Sequence, residues 1–135
     1  MNTNLIKKLS PSQKTGQHFE KFAEKYLKNN GLKLVARNYN CRFGEIDLIM
    51  LDAKTLVFIE VRYRNNPQFG TALDSITPAK QQKVIKSAQH YLQTNNWANK
   101  LFCRFDALGI IGGDTQQKDR NLSYQVEWVK DAFSL

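Results

Sequence analysis

The stretch "GEIDLIMLDAKTLVFIEVRYR", residues 44 to 64, constrains the fold more than any other part of the chain. Two apolar runs of strand length flank the polar segment "DAKT" at 52 to 55, which is the pattern of a β-hairpin. Strand period places Ile46, Leu48 and Met50 on one face and Glu45, Asp47 and Ile49 on the other. On the second strand Val57, Ile59, Val61 and Tyr63 oppose Phe58, Glu60, Arg62 and Arg64. Pairing Leu51 with Leu56 brings Ile46 to Val61, Leu48 to Ile59 and Met50 to Val57, so one face is wholly apolar. The same register sets Asp47 directly across from Glu60.

Opposed side chains of an antiparallel pair have Cβ atoms roughly 4.5 to 5.5 Å apart, a separation at which two carboxylates repel. A hard divalent cation such as Mg²⁺ relieves that repulsion, because it takes carboxylate oxygens and keeps waters that a phosphate can displace. Neutralisation by Arg62 and Arg64, or a hydrated outer face, would relieve it as well. From the hairpin alone these readings stand level.

The flanking sequence supplies the other elements. Ser10, Pro11 and Gln13 form a helix start, with Thr15 as a rival cap, and Phe19, Phe22, Ala23, Tyr26 and Leu27 follow at helical spacing up to "NNG". Glu20 lies about 100° round that helix from Phe19, at the border of the apolar face, where it is either solvated or within reach of the sheet. "LKLVARNYN" reads as a strand ahead of the hairpin. Thr77 and Pro78 open a second helix to about residue 94, with Val84, Ile85, Ala88, Tyr91 and Leu92 as its buried stripe. "LFCRFDALGII" and "LSYQVEWV" read as two late strands joined by "GGDTQQKDRN". The order helix, three strands, helix, two strands predicts an α/β fold on a mixed sheet.

The 135 residues suit a single domain, with residues 1 to 10 expected to be a flexible segment. No apolar run approaches the roughly 20 residues of a membrane span, and the N-terminus does not read as a secretory signal, so a cytoplasmic, non-membrane protein is expected. Cys41 and Cys103 are too few and too far apart for a disulfide framework or a zinc site. Twenty Lys and Arg against twelve Asp and Glu give a net charge of +8, which suits a polyanionic partner, nucleic acid first. Arg37, Arg42, Arg64, Lys80 and Lys83 are candidate phosphate contacts, although lysines at three-residue spacing drift round a helix and a solvated face explains any one of them. Phe69 and Gly70 mark a long connector that suits a substrate loop, Phe69 equally suiting a cap on the core. Asp106 either supports the acidic site from a neighbouring strand or pairs with an arginine. His18 and His90 lack ligand spacing, and Trp97 and Trp128 read as packing residues.

An Asp, an interval and then Glu-x-Lys on the next strand is the PD-(D/E)xK signature of restriction-endonuclease-like nucleases. This chain has Asp47, then Glu60-Val61-Arg62. Together with "GQHFEKFAEKYL", "RNYNCRFGEIDLIM", "FGTALDSITPAKQQKV", "CRFDAL" and "EWVKDAF", it resembles the bacterial YraN family, itself similar to archaeal Holliday junction resolvases, from about Gly16 to Phe133. The resemblance implies a restriction-endonuclease-like mixed sheet with helices on its flanks. It further implies metal-dependent hydrolysis of a phosphodiester in structured or branched nucleic acid, DNA ahead of RNA, by a chain that can pair as a homodimer. Asp47 and Glu60 would hold Mg²⁺ or Mn²⁺, Glu20 would match the helix acid, and Arg62 would stand at the lysine position. That last position departs from the signature. A guanidinium stabilises charge but stays protonated, which leaves the base to a carboxylate or to water activated by the ion. A nucleic-acid-binding module that keeps the fold without turnover is the alternative.

Overall fold

The computed structural model describes residues 11–64, 70–97, 100–112 and 124–134. Helix α1 (Pro11–Asn29) precedes strands β1 (Lys33–Cys41), β2 (Gly44–Asp52) and β3 (Thr55–Arg64). A short 3-10 turn at Leu73–Ser75 leads to α2 (Pro78–Thr94), and β4 (Phe102–Ile111) and β5 (Gln125–Phe133) complete the chain. The helix opens at the expected proline, which makes Thr15 an interior residue and not a cap. The proposed cap Ser10, the N-terminal segment 1–10, Phe69 and the connector after Gly112 lie outside the described residues.

The five strands lie in chain order, β1-β2-β3-β4-β5. Neighbours run antiparallel except β3 and β4, which are parallel. A parallel neighbour cannot follow through a tight turn, so the chain must cross over, and α2 is that crossover. Each helix buries one stripe against the sheet. Phe19, Ala23 and Leu27 of α1 pack with Leu48, Met50, Val57, Ile59, Leu108 and Ile110. On the opposite face Val84, Ile85, Ala88 and Tyr91 of α2 pack with Ile49, Leu56, Phe58, Phe105 and Ala107. The result is the three-layer α/β arrangement expected of a restriction-endonuclease-like domain, with both sheet faces covered. Thr77 caps α2 as its sequence predicts, its side chain accepting the Lys80 N–H at 3.2 Å with Pro78 behind it.

The hairpin pairs as predicted from Asp52 and Thr55 through Leu51 with Leu56, Met50 with Val57 and Leu48 with Ile59. There the ladder stops. The expected alternation fails beyond it, because Ile46 packs with Ile49 on the α2 side and not with Leu48 and Met50 on the α1 side. A side chain keeps to alternate faces only while the pleat is continuous, and the pleat is interrupted at Asp47. Across β1, Asn38 stands between the residues paired with Ile46 and Leu48 and has a φ of 48°, unusual for a residue with a side chain. The outer face of the hairpin is therefore not a hydrated charged surface. It is a second core with acids only at one end.

Candidate functional site

Where β2 and β3 part, Asp47 fills the place of a lost ladder acceptor, and its Oδ2 accepts the Val61 N–H at 2.8 Å. The bond fixes the carboxylate between the strands. Glu20 of α1 and Glu45 of β2 come to the same point, so that one carboxylate oxygen from each of Glu20, Glu45 and Asp47 lies within 4.8 Å of the others. Glu60 lies on the adjoining strand and is buried, its Oε2 4.0 Å from Nη2 of Arg62 and its Oε1 without a hydrogen-bond partner among the described residues. Nε and Nη2 of Arg62 are buried and similarly lack hydrogen-bond partners among the described residues. A cavity of about 310 Å³ opens over this group, lined by Gly16, Phe19, Glu20, Asp47, Val61, Arg62, Tyr63 and Lys80.

Crowded carboxylates taken out of water resist ionisation. Burial, reinforced by the charge of Asp47, pushes Glu60 up to about 8, while Arg62 and Lys80 pull it down. Glu20 is raised to about 7, again by burial first and Asp47 second. Burial also raises Asp47 and Glu45. Glu20 and Glu60 hold protons near neutrality, and all four acids gain from a cation that lets them charge. The orphaned Glu60 oxygen and the oxygen-only donor set fit a hard divalent ion.

The structure brings together Glu20, Asp47, Glu60, Arg62 and Lys80 from among the residues proposed from sequence. It adds Glu45, which strand period places on the acidic face with Asp47 but which no signature position marks. The remaining cations are elsewhere or engaged. Arg37 is tied to Glu24, one of its bonds being Nη2 to Oε2 at 3.0 Å, and Glu24 also pairs with Lys28 at 2.9 Å. Arg42 covers the Phe43 ring at 4.7 Å. Lys83 is exposed one turn beyond Lys80, and Arg64 accepts the Gly112 N–H through its carbonyl at 2.8 Å. Asp106 belongs to a different structure. Fully buried, it accepts from Arg104 Nε at 3.0 and 3.2 Å, Trp128 Nε1 at 2.9 Å and the Asp131 N–H at 2.9 Å. That is the arginine pair anticipated for it, joined by two further donors.

The chain was compared with known proteins. Residues 19–110 match the sequence model of a family described as uncharacterised protein family UPF0102. A UPF0102 protein of Nitrosococcus oceani is 52% identical over 118 residues, 87% of this chain and 90% of that protein. One from Saccharophagus degradans is 42% identical over 127 residues, 94% and 98% of the two chains, and one from Psychromonas ingrahamii 47% over 125 residues, 93% of each. The chain belongs to the UPF0102 family, the YraN group that its hairpin motif resembles.

Proposed function

We propose that this protein binds structured or branched nucleic acid and hydrolyses a phosphodiester in it with the help of Mg²⁺ or Mn²⁺. The observation that carries the reading is the convergence of Glu20, Glu45 and Asp47, with the buried Glu60 on the adjoining strand, beside an open cavity that Glu20 and Asp47 line. So many carboxylates in one partly dry place are costly unless a cation joins them. When bound, the ion supplies positive charge that polarises a phosphoryl oxygen and acidifies a water. Asp47 and Glu60 would hold it, with Glu20 and Glu45 as the further carboxylates within reach. Asp47 is positioned for this by the Val61 N–H, which occupies one of its oxygens and fixes the direction of the other. The Arg62 guanidinium has unpaired donors beside Glu60 and offers charge to a phosphoryl oxygen. Glu20, held partly protonated near neutral pH, can exchange a proton at the cavity wall.

The test is incubation of purified protein with duplex, single-stranded, flap and four-way DNA and with RNA, in Mg²⁺ or Mn²⁺. Cutting of at least one substrate is expected, and Asp47→Ala and Glu60→Ala should each lower the rate by about 100-fold or more. Arg62, at a place where the signature has lysine, favours a second reading, a binding module without turnover. Binding with no cutting across the panel would select that reading.

A further inference from the structure

The cavity contains a lysine that the strand signature does not predict. Lys80 enters from the first turn of α2, where the Thr77 cap and Pro78 fix its backbone, and its side chain lines the same wall as Glu20, Asp47 and Arg62. It is half-buried, and among the described residues no carboxylate lies within ion-pair distance of its ammonium. Arg62 differs. Its Nη2 faces Glu60 at 4.0 Å, and two of its nitrogens are buried in the layer that carries that carboxyl. Both cations line the cavity, the guanidinium facing Glu60 and the ammonium outside ion-pair distance of any described carboxylate. The charge of Lys80 reaches Glu45, Asp47 and Glu60, so the ammonium is near these acids as well as at the cavity wall.

We propose that Lys80 is a catalytic residue of this site: its ammonium contacts a non-bridging oxygen of the scissile phosphate, a second one beside that to which Arg62 offers charge from the Glu60 side. The inference rests on the nuclease reading above. In the step it assists, a water oxygen bonds to phosphorus and the opposite phosphorus–oxygen ester bond breaks. The departing oxygen keeps the bonding pair and takes a proton from solvent, and the attacking water gives its proton to a carboxylate or to bulk water. Lys80 keeps all its protons and donates hydrogen bonds to charge that grows as the phosphorus becomes crowded. A helix-borne lysine suits this role, because the first turn of α2 is held by its cap independently of the strand that carries Arg62.

The experiment compares wild type, Lys80→Ala, Lys80→Met, Lys80→Ala with Arg62→Lys, and the control Lys54→Ala in the exposed hairpin turn. Cutting is followed in Mn²⁺ on the labelled DNA panel, binding to the four-way junction is measured in Ca²⁺, and folding is checked by thermal melting. Loss of one transition-state contact predicts that Lys80→Ala and Lys80→Met cut about 100-fold more slowly while their junction affinity changes less than about threefold. Lysine at position 62 should return at least about tenfold of the loss in the Lys80→Ala background, and Lys54→Ala should cut at the wild-type rate. Folded Lys80 variants that cut within about threefold of wild type would overturn the role of Lys80 and leave the nuclease standing. So would variants in which affinity falls as far as the rate, since Lys80 would then serve binding alone. A wild type that binds the panel and cuts none of it would overturn both.

Discussion

Glu60 shows how one residue can oppose the stability of its own fold. Its carboxyl keeps a proton to about pH 8 in the folded protein, against a usual value of 4.5. Between those values the folded chain binds more protons than the unfolded chain, so the contribution of Glu60 is fully present below pH 4.5 and is lost as pH rises toward 8. Metal-free protein should therefore unfold at lower urea concentration at pH 8.5 than at pH 5.5. Glu60→Gln, which cannot ionise, should flatten that slope and recover about 1 to 3 kcal/mol at the higher pH. A variant that keeps the full pH slope would show that another group causes it. The same charge crowding predicts that millimolar Mn²⁺ raises the melting temperature of wild type at pH 8 and leaves that of Asp47→Ala unmoved. Equal shifts in the two proteins would place the ion elsewhere.

Among the elements, two acids stand in for missing strand contacts. Asp47 takes the Val61 N–H where the ladder between β2 and β3 stops. Asp106 takes the Asp131 N–H where the pairing of β4 and β5 shifts between Phe105 and Ala107. Asp131, with a φ of 53°, is exposed and aims only its backbone N–H at Asp106. One of these breaks faces an open cavity and the other is closed over by Arg104 and Trp128. Asp106→Ala should cost about 3 to 5 kcal/mol in chemical denaturation, because it takes the acceptor from Arg104 Nε, Trp128 Nε1 and the Asp131 N–H and leaves the guanidinium only Asp52. A loss under about 1 kcal/mol would mean that the network relaxes without its acceptor. The hairpin register was legible between the turn and the Leu48–Ile59 pair, because "DAKT" and two matched apolar runs admit little else. The expected pairs of Asp47 with Glu60 and Ile46 with Val61 are not in the ladder. Helix α2 was legible from Thr77, Pro78 and its stripe. The position of Ile46 was not. Period two assumes an unbroken pleat, and the break depends on Asp47 meeting Val61 across the sheet. Asp47, Glu60 and Glu20 could be named as a set from the signature, whereas Glu45 and the reach of Lys80 required the packing of α1 and α2 against the same strand ends.

At the scale of the whole molecule, a chain of net charge +8 gathers three of its twelve acids, Glu20, Glu45 and Asp47, at one point, so the remainder of the sequence is more basic still. If a polyanion is the partner, affinity should fall steeply with salt, and the slope of log affinity against log salt divided by about 0.9 counts the phosphates neutralised on duplex DNA. Weak binding that is nearly independent of salt would argue for a protein partner. No described helix is long and apolar enough to cross a membrane. The outermost strands have a further consequence for assembly. β1 is interrupted between Leu34 and Ala36 and bent again at Asn38, and β5 is interrupted near Asp131. Irregular margins make poor templates for another strand, so two copies that associate would have to join through side chains on other faces, and sheets should not fuse end to end into fibrils.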